Sequence, residues 1–294
     1  MALLLSPEIA RRGEVFSQGS SAQARRLRSS IQRLAATRGT TILVEGERGT
    51  WRTAHAAWVH ARSGRATEPL ACLPATTTRH FAEELVDGLR LAGRGTLVVE
   101  DVQELDPRAQ ALLASVLERR SWGPDEHPLE GRVIATASTD FDRAIDEGRV
   151  HGELAYRLNV LRLHVPPLRD RREDVAVLVE LLGHLEHAPR PARRLAHELL
   201  ERWSRESWPG NLRELEARVL GHGFATETAE STAVELESIP GLILPNGTLK
   251  AREESWIRSV LAAENGNRSR AARVLGIHRA TLYNKLKEYG IHAD

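Results

Sequence analysis

A single cysteine, Cys72, is all the chain has for thiol chemistry. It has no partner for an intrachain disulfide, which excludes a secreted, cross-linked scaffold and fits a reducing cytosol. No apolar run is long enough to span a bilayer, so membrane partners are not expected. The opening residues, Met1 to Leu5, are too short for a signal-peptide core and run directly into Arg11 and Arg12, and they read as a short tail or the start of a helix. Net charge is also missing: 41 Lys and Arg face 40 Asp and Glu, so any affinity for nucleic acid must come from local clustering. None of the 12 histidines falls in a His-x-x-x-His arrangement, and no Cys-x-x-Cys exists, so no metal site is expected. No repeat of solenoid period appears.

What is present begins with an amphipathic helix from Ser20 to Thr37, its apolar face carrying Ala24, Leu27, Ile31 and Leu34. A short β-branched run, Thr41 to Val44, leads into the glycine turn Gly46-Glu47-Arg48-Gly49-Thr50 and then a helix from Arg52 to His60. A second strand, Thr96 to Val99, ends in Glu100-Asp101 and precedes a helix around Ala109 to Leu117. A third strand starts at Arg132. Strands alternating with helices predict a parallel sheet covered on both faces. After Pro166-Pro167 the pattern turns helical, over 174–185 and 192–203, and the Thr-, Ser- and Glu-rich stretch from Phe224 to Gly247 reads as a solvated linker.

The last segment is three short helices. From Leu249 onward nine Lys or Arg face five Asp or Glu, the local excess that phosphate contacts require. Trp256, Ile257, Val260 and Leu261 share one face of the first helix. Asn267 is placed to cap the second, and Gly276 makes the tight turn before the third. There Leu282 and Leu286 point inward, leaving Arg279, Thr281, Asn284, Lys285 and Lys287 outward.

The run Gly266-Asn267-Arg268-Ser269-Arg270-Ala271-Ala272-Arg273-Val274-Leu275-Gly276-Ile277-His278-Arg279-Ala280-Thr281-Leu282-Tyr283-Asn284-Lys285-Leu286-Lys287 resembles the Fis-type DNA-binding module. That resemblance implies a helix-turn-helix working as a dimer on a near-palindromic duplex site, with Arg268, Arg270, Arg273, His278, Arg279, Thr281, Asn284, Lys285 and Lys287 meeting DNA. Upstream, Gly46 to Thr53 sits where a P-loop belongs. Gly95 to Leu113, Tyr156-Arg157-Leu158-Asn159-Val160, Pro166 to Asp174, and Trp208-Pro209-Gly210-Asn211-Leu212-Arg213-Glu214-Leu215 are similar to signatures of the AAA+ domain in sigma-54-dependent, NtrC-type activators. The likeness covers nearly the whole chain from about residue 19.

The fold so implied is α/β, an AAA+-type P-loop-like parallel sheet covered by helices, with a helical lid subdomain and a C-terminal all-α Fis-type helix-turn-helix. The organisation expected is a tail over 1–18, the AAA+-like body over 19–165, the lid over 166–223, a linker over 224–248 and the DNA-binding domain over 249–294. No sensory domain is expected before the body.

The departures from the family pattern carry the functional expectation. Gly46, Gly49, Thr50 and Thr53 are kept, but the glycine and lysine between Thr50 and Thr53 are replaced by Trp51 and Arg52. An indole at that turn should collide with the loop or the triphosphate, and a guanidinium is a longer, planar fork. Trp51 is expected to be buried as a plug in the cleft rather than exposed as a partner anchor.

Glu100 and Asp101 stand in exchanged places, Glu for the metal-associated aspartate and Asp for the water-orienting glutamate. Displacing each carboxylate by about an ångström can cost ~100-fold in rate. Ser138 replaces an asparagine, and His151 replaces the first of two trans-acting arginines. Arg157 and the lid arginine Arg213 are retained; for Arg213 an ion pair with Glu214 or Glu216 is the structural alternative.

Between Pro69 and Arg94 there is nothing like the GAFTGA loop through which the family contacts its sigma factor. The expectation is therefore a cytoplasmic, nucleoid-associated DNA-binding regulator without an ATP cycle. Its partners would be duplex DNA, further copies of itself, and either RNA polymerase or a paralogous AAA+ activator. Two alternatives stay open: a weak ATPase using Mg and ATP through Arg52, Thr53, Glu100, Asp101 and Arg157, and an accessory subunit that tunes an intact paralogue.

Overall fold

The computed structural model describes residues 2–37, 41–74, 80–185 and 197–227, the last six of these by backbone alone, and eight single positions beyond residue 250. It divides into two compact units, Met1–Gly223 and Phe224–Asp294.

In the first unit a six-stranded sheet has the order β1-β3-β4-β7-β2-β8. Its strands are β1 (Leu3–Leu4), β2 (Ile42–Gly46), β3 (Leu70–Leu73), β4 (Thr96–Val99), β7 (Arg132–Ala137) and β8 (Arg162–Val165); β5 (Ser121–Trp122) and β6 (His127–Pro128) form a separate two-stranded ribbon. Five strands are parallel, and β1 adds antiparallel along β3 with Leu3 opposite Cys72.

Alternate residues of each strand feed opposite faces, as a period of two requires. Ile42, Val44, Cys72, Val98, Ile134, Leu163 and Val165 pack on one side with Leu27 and Ile31 of α2 (Ala22–Ala35) and Ala56, Ala57 and Val59 of α3 (Arg52–Ala61). Leu43, Leu73, Leu97, Val99, Val133 and Ala135 pack on the other side. There they meet α4 (Phe81–Ala92), α5 (Pro107–Arg119), α6 (Phe141–Asp146) and α7 (Gly152–Leu158). The parallel sheet with both faces covered, expected from the alternation of strands and helices, is present.

Residues 2–16 correct the expectation of a tail. They form β1 and the helix α1 (Pro7–Phe16), whose Gly13 lies so close to α3 that a Cβ would stand 2.0 Å from the Ala54 carbonyl oxygen. A side chain there would force the two helices apart. α2 starts at Ser21, whose hydroxyl accepts from the Ala24 amide.

The lid follows as a 3-10 segment (Leu168–Asp174), α8 (Val175–Leu185), α9 (His197–Arg205) and α10 (Asn211–Glu227). Its core gathers Leu178, Leu182, Trp203, Trp208, Leu212 and Leu215 around Phe16 of α1. Thus α1 joins the lid to the body.

Two buried ions make the same join. Arg171 and Asp174 are fully enclosed and 3.1 Å apart. Asp174 accepts from the Ser21 amide and hydroxyl, and Arg171 donates to the Phe16 and Gln18 carbonyls.

In the second unit, Ile257, Leu261, Leu282 and Leu286 are buried, as the apolar faces in the sequence predict. α10 runs to Glu227, into the stretch expected to be linker from residue 224; the remainder of that stretch and most of the helix-turn-helix lie outside the described residues.

Candidate functional site

The turn after β2 has the geometry that its glycines dictate. Gly49 has φ of +82°, and a Cβ there would meet the Gly210 carbonyl oxygen of the lid at 2.1 Å, so only glycine fits. Thr50 caps the loop through its hydroxyl, which donates to the Glu47 carbonyl. Trp51 also takes a left-handed backbone, with φ 59° and ψ 47°. The turn keeps a conformation natural to glycine while carrying the largest side chain there is, at a cost of roughly 1–2 kcal/mol.

Half-buried, the indole stacks on Phe16 of α1, ring centres 5.8 Å apart. The guanidinium carbons of Arg12 and Arg213 each lie 5.4 Å from its centre. Its Nε1 is buried with no hydrogen-bond partner among the described residues. The cleft beside it stays open: about 510 Å³ remain between Arg48, Gly49, Trp51, Arg52, Thr53, Glu100, Asp101, Thr136 and Arg213. Trp51 is thus a wall of the cleft and does not fill it. This corrects the expectation of a plug.

The remaining polar groups of the cleft bind one another. Arg52 donates through Nη1 to the Gly46 carbonyl at 3.0 Å and through Nη2 to Asp101 Oδ1 at 2.5 Å. Thr53 Oγ1 donates to Glu100 Oε1. Asp101 is held by its own left-handed backbone, φ 43°, and by its amide donating to Thr136 Oγ1 at 3.0 Å. The structure therefore brings Arg52, Thr53, Glu100 and Asp101 together in one cleft.

It keeps Arg157 in another arrangement, paired at 2.5 Å with Glu118 of the same chain and close to the face of Tyr156. His151 is exposed and its backbone amide donates to Gln110. The Ser138 hydroxyl donates to Asp140.

The lid docks on the loop through groups whose roles were not read from the sequence. Arg169 forks onto Glu47, lowering that carboxyl's pKa mainly through the hydrogen bond. Asn211 donates to Glu47 and to the Arg48 carbonyl, and the Arg213 amide donates to the Gly49 carbonyl. Arg213 itself covers Trp51, which replaces the ion pair considered for it: Glu214 pairs with Arg218, and Glu216 with Arg12. Arg169 and Asn211 lie inside quoted motifs and could have been found there. Arg12 and Phe16 lie outside every motif.

Of the DNA-binding candidates, Arg270 is exposed, Arg268 and Lys285 are half-buried, and Lys285 Nζ lies 6.0 Å from the Tyr289 ring centre. Arg273, His278, Arg279, Thr281, Asn284 and Lys287 lie outside the described residues.

Comparison with known proteins agrees with this anatomy. Residues 18–168 match the sigma-54 interaction domain, 169–255 an AAA+ ATPase lid domain, and 248–289 the bacterial regulatory proteins of the Fis family. The phenol regulator MopR of Acinetobacter guillouiae is 28% identical over 92% of the chain and 55% of its own length. The regulatory protein AtoC of Escherichia coli is 32% identical over 85% of the chain and 63% of its own length. The chain thus spans a little over half the length of these curated relatives.

Among solved structures, NtrX from Brucella abortus in complex with ATP matches with a TM-score of 0.64 at 25% identity, over 93% of this chain and 69% of that one. Among the described residues no helix is long and apolar enough to cross a membrane. With a family match over half its length and the lid and Fis matches completing it, the chain belongs to the sigma-54 interaction domain family, an AAA+ body joined to a Fis-type helix-turn-helix.

Proposed function

We propose that the protein is a sequence-specific DNA-binding transcription regulator whose AAA+ body serves as a scaffold for self-association or partner contact, without an ATP cycle. The observation that carries this reading is that the cleft's own side chains pair with one another. Arg52, in the position of the phosphate-binding lysine, is spent on Asp101 and the Gly46 carbonyl, and Thr53 is spent on Glu100.

A magnesium nucleotide would have to break both contacts and find room beside Trp51. The carboxylates it would then meet have exchanged lengths, so the donor set does not fit a hydrolytic site. The sequence also lacks a GAFTGA loop between Pro69 and Arg94, which removes the means of remodelling sigma-54 polymerase. The Fis-type segment supplies the DNA contact, as a dimer on a near-palindromic site in the nucleoid.

A second reading has its own observation. The cleft of about 510 Å³ is open, and NtrX, with the same fold, holds ATP. On that reading the body binds nucleotide weakly and hydrolyses it slowly. Titrating a fluorescent ATP analogue with magnesium, alongside a phosphate-release assay, separates the two. Absence of saturable binding below millimolar concentration supports the scaffold, and micromolar magnesium-dependent binding overturns it. Footprinting at low salt on fragments of the source genome tests the DNA contact, and no protected site would overturn it.

A further inference from the structure

At the end of the sheet away from the P-loop, where β7 begins, a second cavity of about 550 Å³ opens between the C-terminal ends of α2 and α3. Its polar lining is Gln32, Thr37, Ser63 and three arginines, Arg62, Arg65 and Arg132, with no carboxylate among its described residues.

Arg132 is the unusual member. It is only 2% exposed, yet among the described residues only its Nη2 has a partner, donating to the Thr37 carbonyl; Nε and Nη1 are buried and have none there. A buried cation without a counter-ion is costly, and native proteins keep one where something else completes it. Arg65 does not help: it donates to the Arg94 carbonyl and lies near enough to disfavour the charge on Arg132. Arg62 covers the face of Trp58.

The ordinary explanation is that these arginines neutralise the two helix ends. Each helix C-terminus presents about half an elementary negative charge, so together they offset one guanidinium of three and leave an excess near +2.

We propose that this cavity is a binding site for a small phosphorylated ligand, its phosphoryl oxygens held by Arg132, Arg65 and Arg62. Guanidinium groups are suited to such oxygens by their planar donors and weak hydration. The apolar wall made by Ala35 and Ala36 leaves space for an organic part beyond the phosphate. Burial lowers the pKa of His60, which neighbours Arg65 and Arg132, and those two cations lower it further, in keeping with a cluster that lacks an anion. The inference is independent of the P-loop cleft, which lies at the other end of the strands.

The test is thermal unfolding of the full chain at fixed ionic strength, chloride being replaced by inorganic phosphate or by AMP without magnesium. The wild type should show a saturable rise of about 3 °C with phosphate. The rise should persist in Arg52→Gln and be lost in the double variant Arg62→Gln/Arg65→Gln. Arg132→Met should also lose it, while melting no lower than the wild type in phosphate-free buffer, because an unpaired charge has been removed.

Saturation by AMP at lower concentration than phosphate would support the site and name a nucleotide as its ligand. Equal concentrations would support it and name the phosphoryl group alone. A phosphate effect no larger than chloride's, one that survives the double variant, one that vanishes in Arg52→Gln, or an Arg132→Met protein destabilised without phosphate would each overturn the proposal.

Discussion

Trp51 and Arg213 join the P-loop to the lid, the guanidinium carbon 5.4 Å from the centre of an indole whose own backbone is left-handed. Two opposing terms meet at this contact. The positive φ costs roughly 1–2 kcal/mol for a residue with a Cβ. Packing a large apolar side chain returns about 1.5–3 kcal/mol at full burial, and Trp51 is half-buried.

The terms nearly cancel, so Trp51→Gly should change stability by less than about 1 kcal/mol and shift the melting temperature by no more than about 4 °C. Nucleotide affinity should respond far more. With the indole gone and glycine restored, the double variant Trp51→Gly/Arg52→Lys should bind magnesium ATP at least tenfold more tightly than the wild type in a fluorescence titration. No gain in affinity would show that Trp51 is not what bars the nucleotide.

The buried pair of Arg171 and Asp174 makes the strongest stability prediction. Asp174→Ala would leave the Arg171 guanidinium enclosed without its counter-ion and the Ser21 amide and hydroxyl without an acceptor. Breaking one side of such a pair costs about 3–5 kcal/mol, a large share of a domain's stability. The denaturant midpoint should fall accordingly. Arg12→Ala, which breaks the less enclosed pair with Glu216 and uncovers one face of Trp51, should cost less, about 1–3 kcal/mol. Equal losses in the two variants would contradict the assignment of the buried pair as the clamp between body and lid.

How much of this was legible in the sequence depends on whether the information was local. The P-loop, the strand ending in Glu100-Asp101 and the lid turn at Trp208 are contiguous runs, so the sequence alone is enough to place their residues. Residues 2–16 could not. β1 is two residues long, and α1 mixes Arg11, Arg12, Gly13 and Glu14 into its apolar pattern, so neither periodicity stands out. Glycine at position 13 reads locally as a helix weakness; its reason, the backbone of α3 against it, is 41 residues away in sequence at Ala54. The pairing of Arg213 with Trp51 was hidden for the same reason, since Trp51 and the Arg12 that takes Glu216 both come from far along the chain; only the capture of Glu214 by Arg218, four residues on in the same helix, is local.

His55 predicts a pH dependence. Its ring is fully buried one turn into α3; Nδ1 must carry the proton, because its partner at 2.9 Å is the Trp51 carbonyl oxygen, and Nε2 has no partner among the described residues. Burial is the main reason its pKa falls from 6.5 to about 4, with Arg171 adding to the effect. The unfolded chain therefore binds this proton more readily than the folded one. Stability is full above pH 6.5 and declines as pH falls toward 4, by up to about 3 kcal/mol from this group. His55→Leu should flatten the stability profile between pH 6.5 and 4 in denaturant titrations. An unchanged slope would mean that another group controls the acid limb.

The helix-turn-helix gives the last prediction. Leu282 and Leu286 are both buried and stand four residues apart, so they mark the inward stripe of the third helix that the sequence predicts. Helical periodicity in the sequence then predicts Asn284 on the side away from Leu282, where an amide can read a base edge. A lysine at 287 offers only a point charge to a phosphate.

The two should fail differently. Lys287→Ala should weaken binding to specific and random duplexes alike and reduce the slope of log K against log salt by about one. Asn284→Ala should leave the slope and the random-sequence affinity unchanged, and cost about 1–3 kcal/mol on the specific site alone. Filter binding of both variants across a salt series distinguishes the roles. Parallel losses on both kinds of duplex for Asn284→Ala would exclude it from base recognition and move the specificity to the outward residues nearer the start of that helix, Arg279 and Thr281.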